Sequence, residues 1–123
     1  MMKQPNILVV DDSTTNVVLI EAILAGKGYR IETAMNVRDA IQCLEKNLPD
    51  LILLDLLMPK ISGFEFLEQL REDERTRNMP VIVISAISDE EKRERTFRLG
   101  AVDCLTKPVD IQYLVDRVAK TLQ

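Results

Sequence analysis

Five polar side chains lie directly behind short apolar runs, and together their types describe one kind of chemistry. Asp11 and Asp12 follow ILVV at 7–10, Asp55 follows LILL at 51–54, Ser85 follows VIVI at 81–84, and Lys107 follows a weaker run around 104–106. Three carboxylates brought into one crevice repel one another and are costly to ionise unless a cation is supplied. Mg²⁺ fits such a set, being a hard ion that takes oxygen ligands and usually binds one or two protein carboxylates plus a phosphate. The ligand position left open, with the Lys107 cation on its far side, defines a place for a phosphoryl group to which the Ser85 hydroxyl can donate. Asp55, last on its run, is the natural nucleophile. Carboxylates that form an aspartyl-phosphate are a recognised class of covalent chemistry, and a metal plus a lysine balance the charge that builds up in transfer.

Such convergence requires elements that bring distant segments to one edge. The runs at 7–10, 51–54 and 81–84 are too short for helices and too continuously apolar for strands with one wet face, so they read as buried parallel strands. Weaker strands fit at 30–34, after the Gly26-Lys27-Gly28 break, and around 104–106. Between them, Val37, Ala40, Ile41 and Leu44 keep helical spacing, as do Ile111, Leu114, Val115, Val118 and Leu122. Asn36 and Asp110 stand as helix starts, and Ser88-Asp89-Glu90-Glu91 reads as a capping box heading a charged helix that ends at Gly100. The order is βα five times over. That predicts an α/β, flavodoxin-like (βα)5 fold: a doubly wound, five-stranded parallel sheet of order 2-1-3-4-5 with helices on both faces. In that order the first and third strands meet at the switch point, and ligands bind beyond the carboxyl ends of the strands. Asp11, Asp12, Asp55, Ser85 and Lys107 all fall on that rim.

The residues resemble a known family, the receiver domain of two-component response regulators that work in His-Asp phosphorelays, of the chemotaxis-regulator kind. The resemblance spans essentially the whole chain and rests on VVDDS at the first turn, LLDLLMPKISG, VISA at the end of the fourth strand, and GAVDCLTKP. It implies Asp55 as phosphoacceptor, and Asp11 and Asp12 as magnesium ligands directly or through water. It further implies Leu57 offering its backbone carbonyl to the metal, Lys107 contacting the phosphoryl group, and Ser85 moving toward it. Pro59, Gly63 and Pro108 take structural roles on the same basis, with a Lys107-Pro108 bond that is often cis in the family although trans is the general expectation. The partner so implied is a sensor histidine kinase or a histidine phosphotransferase, and the face made by helices 89–99 and 110–122 is one through which the family often forms homodimers. The chain would catalyse transfer to, and hydrolysis from, its own aspartate without being a turnover enzyme.

One position departs from the family pattern. Cys104 stands where receivers usually carry Tyr or Phe, three residues before the lysine. A cysteine exposes or buries no comparable surface, so the change of state is expected to run through the loop after Ser85 and the helix from Asp89 to Leu99. Leu57 and Ile87, apolar where receivers vary, are expected to shield an acyl phosphate from water.

Composition narrows the alternatives. At 123 residues with 46% hydrophobic and 29% charged residues, the chain reads as one receiver domain over 1–123 with no output domain, either a stand-alone regulator or part of a larger one. No apolar run approaches the roughly 20 residues that cross a bilayer, and MMKQPN carries no apolar signal region, so the expected place is the cytoplasm, with Cys43 and Cys104 reduced core thiols. The lack of histidine, with only Cys43 and Cys104 far apart and no CxxC spacing, excludes the usual zinc clusters and every His-based triad. A net charge of -4 with no basic block argues against direct nucleic-acid binding. A flavodoxin-like cofactor site at Ser13-Thr14-Thr15 would place a flavin phosphate beside two acids, in a chain with 4% aromatic residues to stack on the ring. A phosphohydrolase of the Asp type would need a DxD pair, and a degenerate docking module would have lost an acid or the lysine.

Simpler roles stand beside each assignment. Asp11 and Asp12 could cap the first helix, Asp55 could be a solvated strand end, Ser85 a turn residue and Lys107 a surface cation. Taken singly these readings compete well, but independent accidents would not all choose one rim. Phe64, Phe66, Phe97 and Tyr113 are expected in core or helix packing, and the RERTFR segment at 93–98 on a solvated helix face.

Overall fold

The computed structural model describes residues 4–58, 62–86 and 89–123. Its order is β1 Asn6–Val10, α1 Thr14–Ala25, β2 Arg30–Ala34, α2 Val37–Lys46, β3 Leu51–Leu54, α3 Gly63–Glu72, β4 Val81–Ser85, α4 Glu90–Arg98, β5 Asp103–Thr106 and α5 Ile111–Thr121. The strands form one parallel sheet of order β2-β1-β3-β4-β5, as expected from the alternation of apolar runs and helical patterns.

Alternation along each strand divides the core in two. Leu8 and Val10 of β1, Ile52 and Leu54 of β3, and Val81 and Val83 of β4 pack with Ala40 and Leu44 of α2 and Phe66, Leu67 and Leu70 of α3. Ile7, Val9, Leu51, Leu53, Ile82 and Ile84 face the other way, onto Val17, Ile20 and Leu24 of α1 and Leu114 and Val118 of α5. The central strands have no wet face, which is why they read as continuous apolar runs. Each fully buried Leu or Ile contributes roughly 1.5–3 kcal/mol, so the two cores fix the strand ends firmly.

Side-chain caps fix the starts of the helices. Asn36 and Asp110 cap α2 and α5 as their types suggest, accepting from the amides of Asp39 and Tyr113. At α1 the cap is Ser13, whose hydroxyl accepts from Asn16 N, so neither Asp11 nor Asp12 does that work. At α4 the cap is Asp89, accepting from Glu91 N; the Ser88 of the expected capping box lies outside the described residues, as do Ile87 and Pro59. An Asp oxygen two residues before an amide makes a compact turn, and Asp89 reaches Glu91 that way.

Of the four rings expected in core or helix packing, two are in the core and two lie on helix surfaces. Phe64 and Phe66 are buried, whereas Tyr113 is 50% exposed and Phe97, 42% exposed, lies beneath the Arg93 guanidinium of its own helix. Nor is 93–98 simply solvated. Thr96 is buried, Arg93 donates to the Cys104 carbonyl at 3.1 Å, and Arg95 pairs with Glu68 of α3 while lying over the Phe64 ring.

Candidate functional site: an acidic rim with one lysine

Backbone pairing continues past the strands and carries the polar residues with it. Asp11 N donates to Ala34 O at 3.1 Å, Asp55 N to Val10 O at 2.9 Å, and Lys107 N to Ser85 O at 3.0 Å. These bonds lock neighbouring carboxyl ends side by side, so the five residues singled out above meet on one rim. Asp11, Asp55 and Ser85 are buried there, and Asp12 is exposed. The adjacent acids of the DD pair therefore face different surroundings.

Each buried carboxylate is held by donors from its own turn and by one shared cation. Asp11 Oδ1 accepts from Ser13 N at 2.9 Å and Asp55 Oδ1 from Leu57 N at 3.0 Å and Ser85 Oγ at 3.1 Å. Lys107 Nζ donates to Asp11 Oδ2 at 3.0 Å and to Asp55 Oδ2 at 3.2 Å. The lysine thus bridges the two acids directly, where the sequence placed it on the far side of an open ligand position. Among the described residues it is the cation within reach of the two buried carboxylates, and Coulomb attraction draws it in. Sequence reasoning also missed the amides of Ser13 and Leu57, since a backbone donor leaves no trace in residue type.

Electrostatics follow from this packing. Burial pushes the Asp55 carboxyl above the ordinary value; the Leu57 N–H and the Lys107 ammonium pull it down without cancelling the rise, to which Asp11 adds. Burial works to lower Lys107, but its hydrogen bond to Asp11 and the charges of Asp55 and Asp11 outweigh that and leave it raised. Asp11, Asp12 and Asp55 each offer a carboxylate oxygen within 4.8 Å of the others. With all three ionised, one ammonium leaves two negative charges in excess, and hard oxygen donors of that excess suit a divalent ion such as Mg²⁺.

Two further residues shape the rim. A Cβ on Gly63 would stand 2.4 Å from Leu56 Cα and 2.6 Å from Asp55 O, so only glycine lets α3 start this close to the Asp55 turn. Lys107-Pro108 is a cis peptide. Cys104, buried in β5 beneath Arg93, has its thiol pushed up chiefly by burial.

The family model for the response regulator receiver domain matches residues 7–119. The chain belongs to that family. As a receiver domain it is a phospho-accepting module of two-component signalling, with a family relation to histidine kinases or phosphotransferases and to Mg²⁺ held in an acidic pocket. It is 43% identical over 112 residues to response regulator PleD of Caulobacter vibrioides, a match covering 91% of this chain and 25% of PleD. To protein PilH of Pseudomonas aeruginosa it is 35% identical, over 94% of this chain and 96% of PilH. Among solved structures, the chemotaxis protein CheY4 of Vibrio cholerae superposes with a TM-score of 0.90 at 28% identity, covering 98% of this receiver and 100% of that chain. The chain thus spans about a quarter of the length of the first curated relative, PleD.

Proposed function

We propose that this receiver takes a phosphoryl group onto Asp55 from a phosphohistidine on a sensor histidine kinase or histidine phosphotransferase. The observation that carries the reading is the set of contacts on Asp55: a buried carboxylate that accepts from the Ser85 hydroxyl and the Lys107 ammonium and shares its rim with Asp11 and Asp12. The Leu57 N–H fixes Oδ1, which sets the plane of the carboxylate. An Asp55 oxygen forms the new bond to phosphorus as the phosphorus–nitrogen bond of the donor breaks, and the electron pair leaves with the imidazole. Lys107 then counters the added charge, and Ser85 Oγ turns its proton from Asp55 toward a phosphoryl oxygen. Asp11, Asp12, Asp55 and the Leu57 carbonyl would hold Mg²⁺, which when bound supplies positive charge against the phosphoryl oxygens.

Further parts of the reading rest on the same module. Leu57, half exposed beside Asp55, shields the acyl phosphate, and Leu57→Asn should speed its hydrolysis. The faces of α4 and α5 serve a second copy, and the output is carried by protein contacts rather than nucleic acid, which suits a net charge of -4. Turnover of outside substrates is not expected, and a cytoplasmic setting fits phosphohistidine partners; among the described residues no helix is long and apolar enough to cross a membrane. The test is transfer of labelled phosphate from a phosphorylated histidine phosphotransferase. Label should reach the wild type and not Asp55→Asn; equal labelling of both would overturn Asp55 as acceptor.

A further inference from the structure

The end of the sheet opposite the acidic rim carries the reverse charge. The segments entering β4 and β5, together with α3 and the end of α4, enclose an open cavity of about 460 Å³ whose lining includes Arg71, Arg77 and Arg98 and no carboxylate. Arg71 and Arg77 lie six residues apart among the acids of REDERTR and Arg98 is 21 residues further on, so no basic block announces them.

Arg71 forms the back of the cavity. Its Nε donates to Leu99 O at 2.7 Å, Nη1 to Arg77 O at 3.0 Å and Met79 O at 2.8 Å, and Nη2 to Gly100 O at 3.2 Å. All of these acceptors are neutral carbonyls, so its positive charge is held without a counterion. Gly100 makes room for it, with a φ of +85° and a position where a Cβ would stand 3.1 Å from Arg71 Nε. Arg77 and Arg98 are exposed on the rim and, among the described residues, no carboxylate lies within 4.0 Å of either guanidinium. In a chain of net charge -4, three uncompensated guanidiniums around one hollow make a local positive field. Met79, Leu99 and Val102 give the same hollow an apolar floor.

We propose that this cavity binds a nucleoside phosphate. Planar guanidiniums match phosphate oxygens two at a time and also stack on flat rings. The volume falls in the range of small-molecule sites, which pair an apolar lining with few polar anchors. Arg77 and Arg98 take the phosphates, Arg71 adds field from behind, and the apolar floor takes the base. A nucleic-acid strand fits less well, because the acidic remainder of the surface would repel its flanking phosphates.

The test uses the intact chain in chelator, so that no divalent ion recruits phosphate to the acidic rim. ADP and pyrophosphate are titrated while backbone amide resonances are followed. ADP should shift the amides of 77–80 and 98–102, with affinity falling at least tenfold in an Arg77→Gln, Arg98→Gln double variant and weakening as salt is raised. The substituted residues are exposed, and an unchanged amide spectrum in the absence of ligand verifies the fold of the variant. Absence of shifts, shifts confined to the Asp11 and Asp55 rim, or equal binding by the double variant would overturn the site. Pyrophosphate binding as tightly as ADP would overturn the nucleoside assignment, and a single-stranded oligonucleotide binding more tightly than ADP would replace it with nucleic acid.

Discussion

Asp55 stands where burial and hydrogen bonding pull its carboxyl in opposite directions, and burial wins. A group whose folded value is raised favours folding in its protonated form. That contribution is complete below the ordinary value of 3.8 and is lost as pH rises through the folded value. At neutral pH the ionised Asp55 therefore costs stability, even with Lys107 beside it. Asp55→Asn should raise the melting temperature at pH 7 in chelator, and the gain should shrink as pH falls toward 3.8. Melting curves across pH decide this; a variant less stable than wild type at pH 7 would show that the lysine bridge outweighs burial. Lys107→Ala removes the shared cation from two buried acids. Breaking such a pair by removing one partner costs on the order of 3 kcal/mol, readable in urea unfolding, and Mg²⁺ should restore part of the loss.

The elements matter here through how closely they approach. Because α3 begins against the Asp55 turn, Gly63→Ala should destabilise by about 1–3 kcal/mol and slow phosphorylation as well, since the clash lies on the backbone that aims Asp55. At α4 the contacts are few and mostly polar: one buried residue, Thr96, the Arg93 reach to the Cys104 carbonyl, and Arg95 paired with Glu68 over the Phe64 ring. With a cysteine in place of an aromatic ring, this lightly held helix is the element suited to shift when Ser85 moves. Phosphorylation should shift amide resonances across Glu90–Arg98, and Arg93→Ala should enlarge that response; an α4 that stays fixed would contradict the route. Elements whose apolar residues repeat strongly were legible in the sequence. The three buried strands, β2 and the seam of α5 lie where the sequence pattern puts them, as do Val37, Ala40 and Leu44 of α2, while Ile41 of that seam is 36% exposed. Less legible was whatever depended on a neighbour in space: which of Asp11, Asp12 and Ser13 caps α1, that Arg95 pairs with Glu68, and that Tyr113 faces solvent. Residue type alone ranks Asp and Ser equally as caps, and only the fold decides between them.

Across the whole molecule the parallel sheet separates two opposite charges. Carboxyl ends gather Asp11, Asp12 and Asp55, and amino ends gather Arg71, Arg77 and Arg98. The first cluster could be read in the sequence because each acid follows an apolar run. The second could not, since Arg71 and Arg98 come from the last turns of two different helices and Arg77 from a loop, with no shared pattern. The acidic rim has one reaction to perform, the proposed phosphorylation of Asp55. The most direct measurement is the intact mass of the chain after incubation with a small phosphodonor and Mg²⁺, with and without chelator, beside Asp55→Asn. A gain of one phosphoryl group that needs the metal and is absent in the variant is the predicted result. An unphosphorylated wild type of verified fold, or an Asp55→Asn chain that gains the same mass, would contradict it.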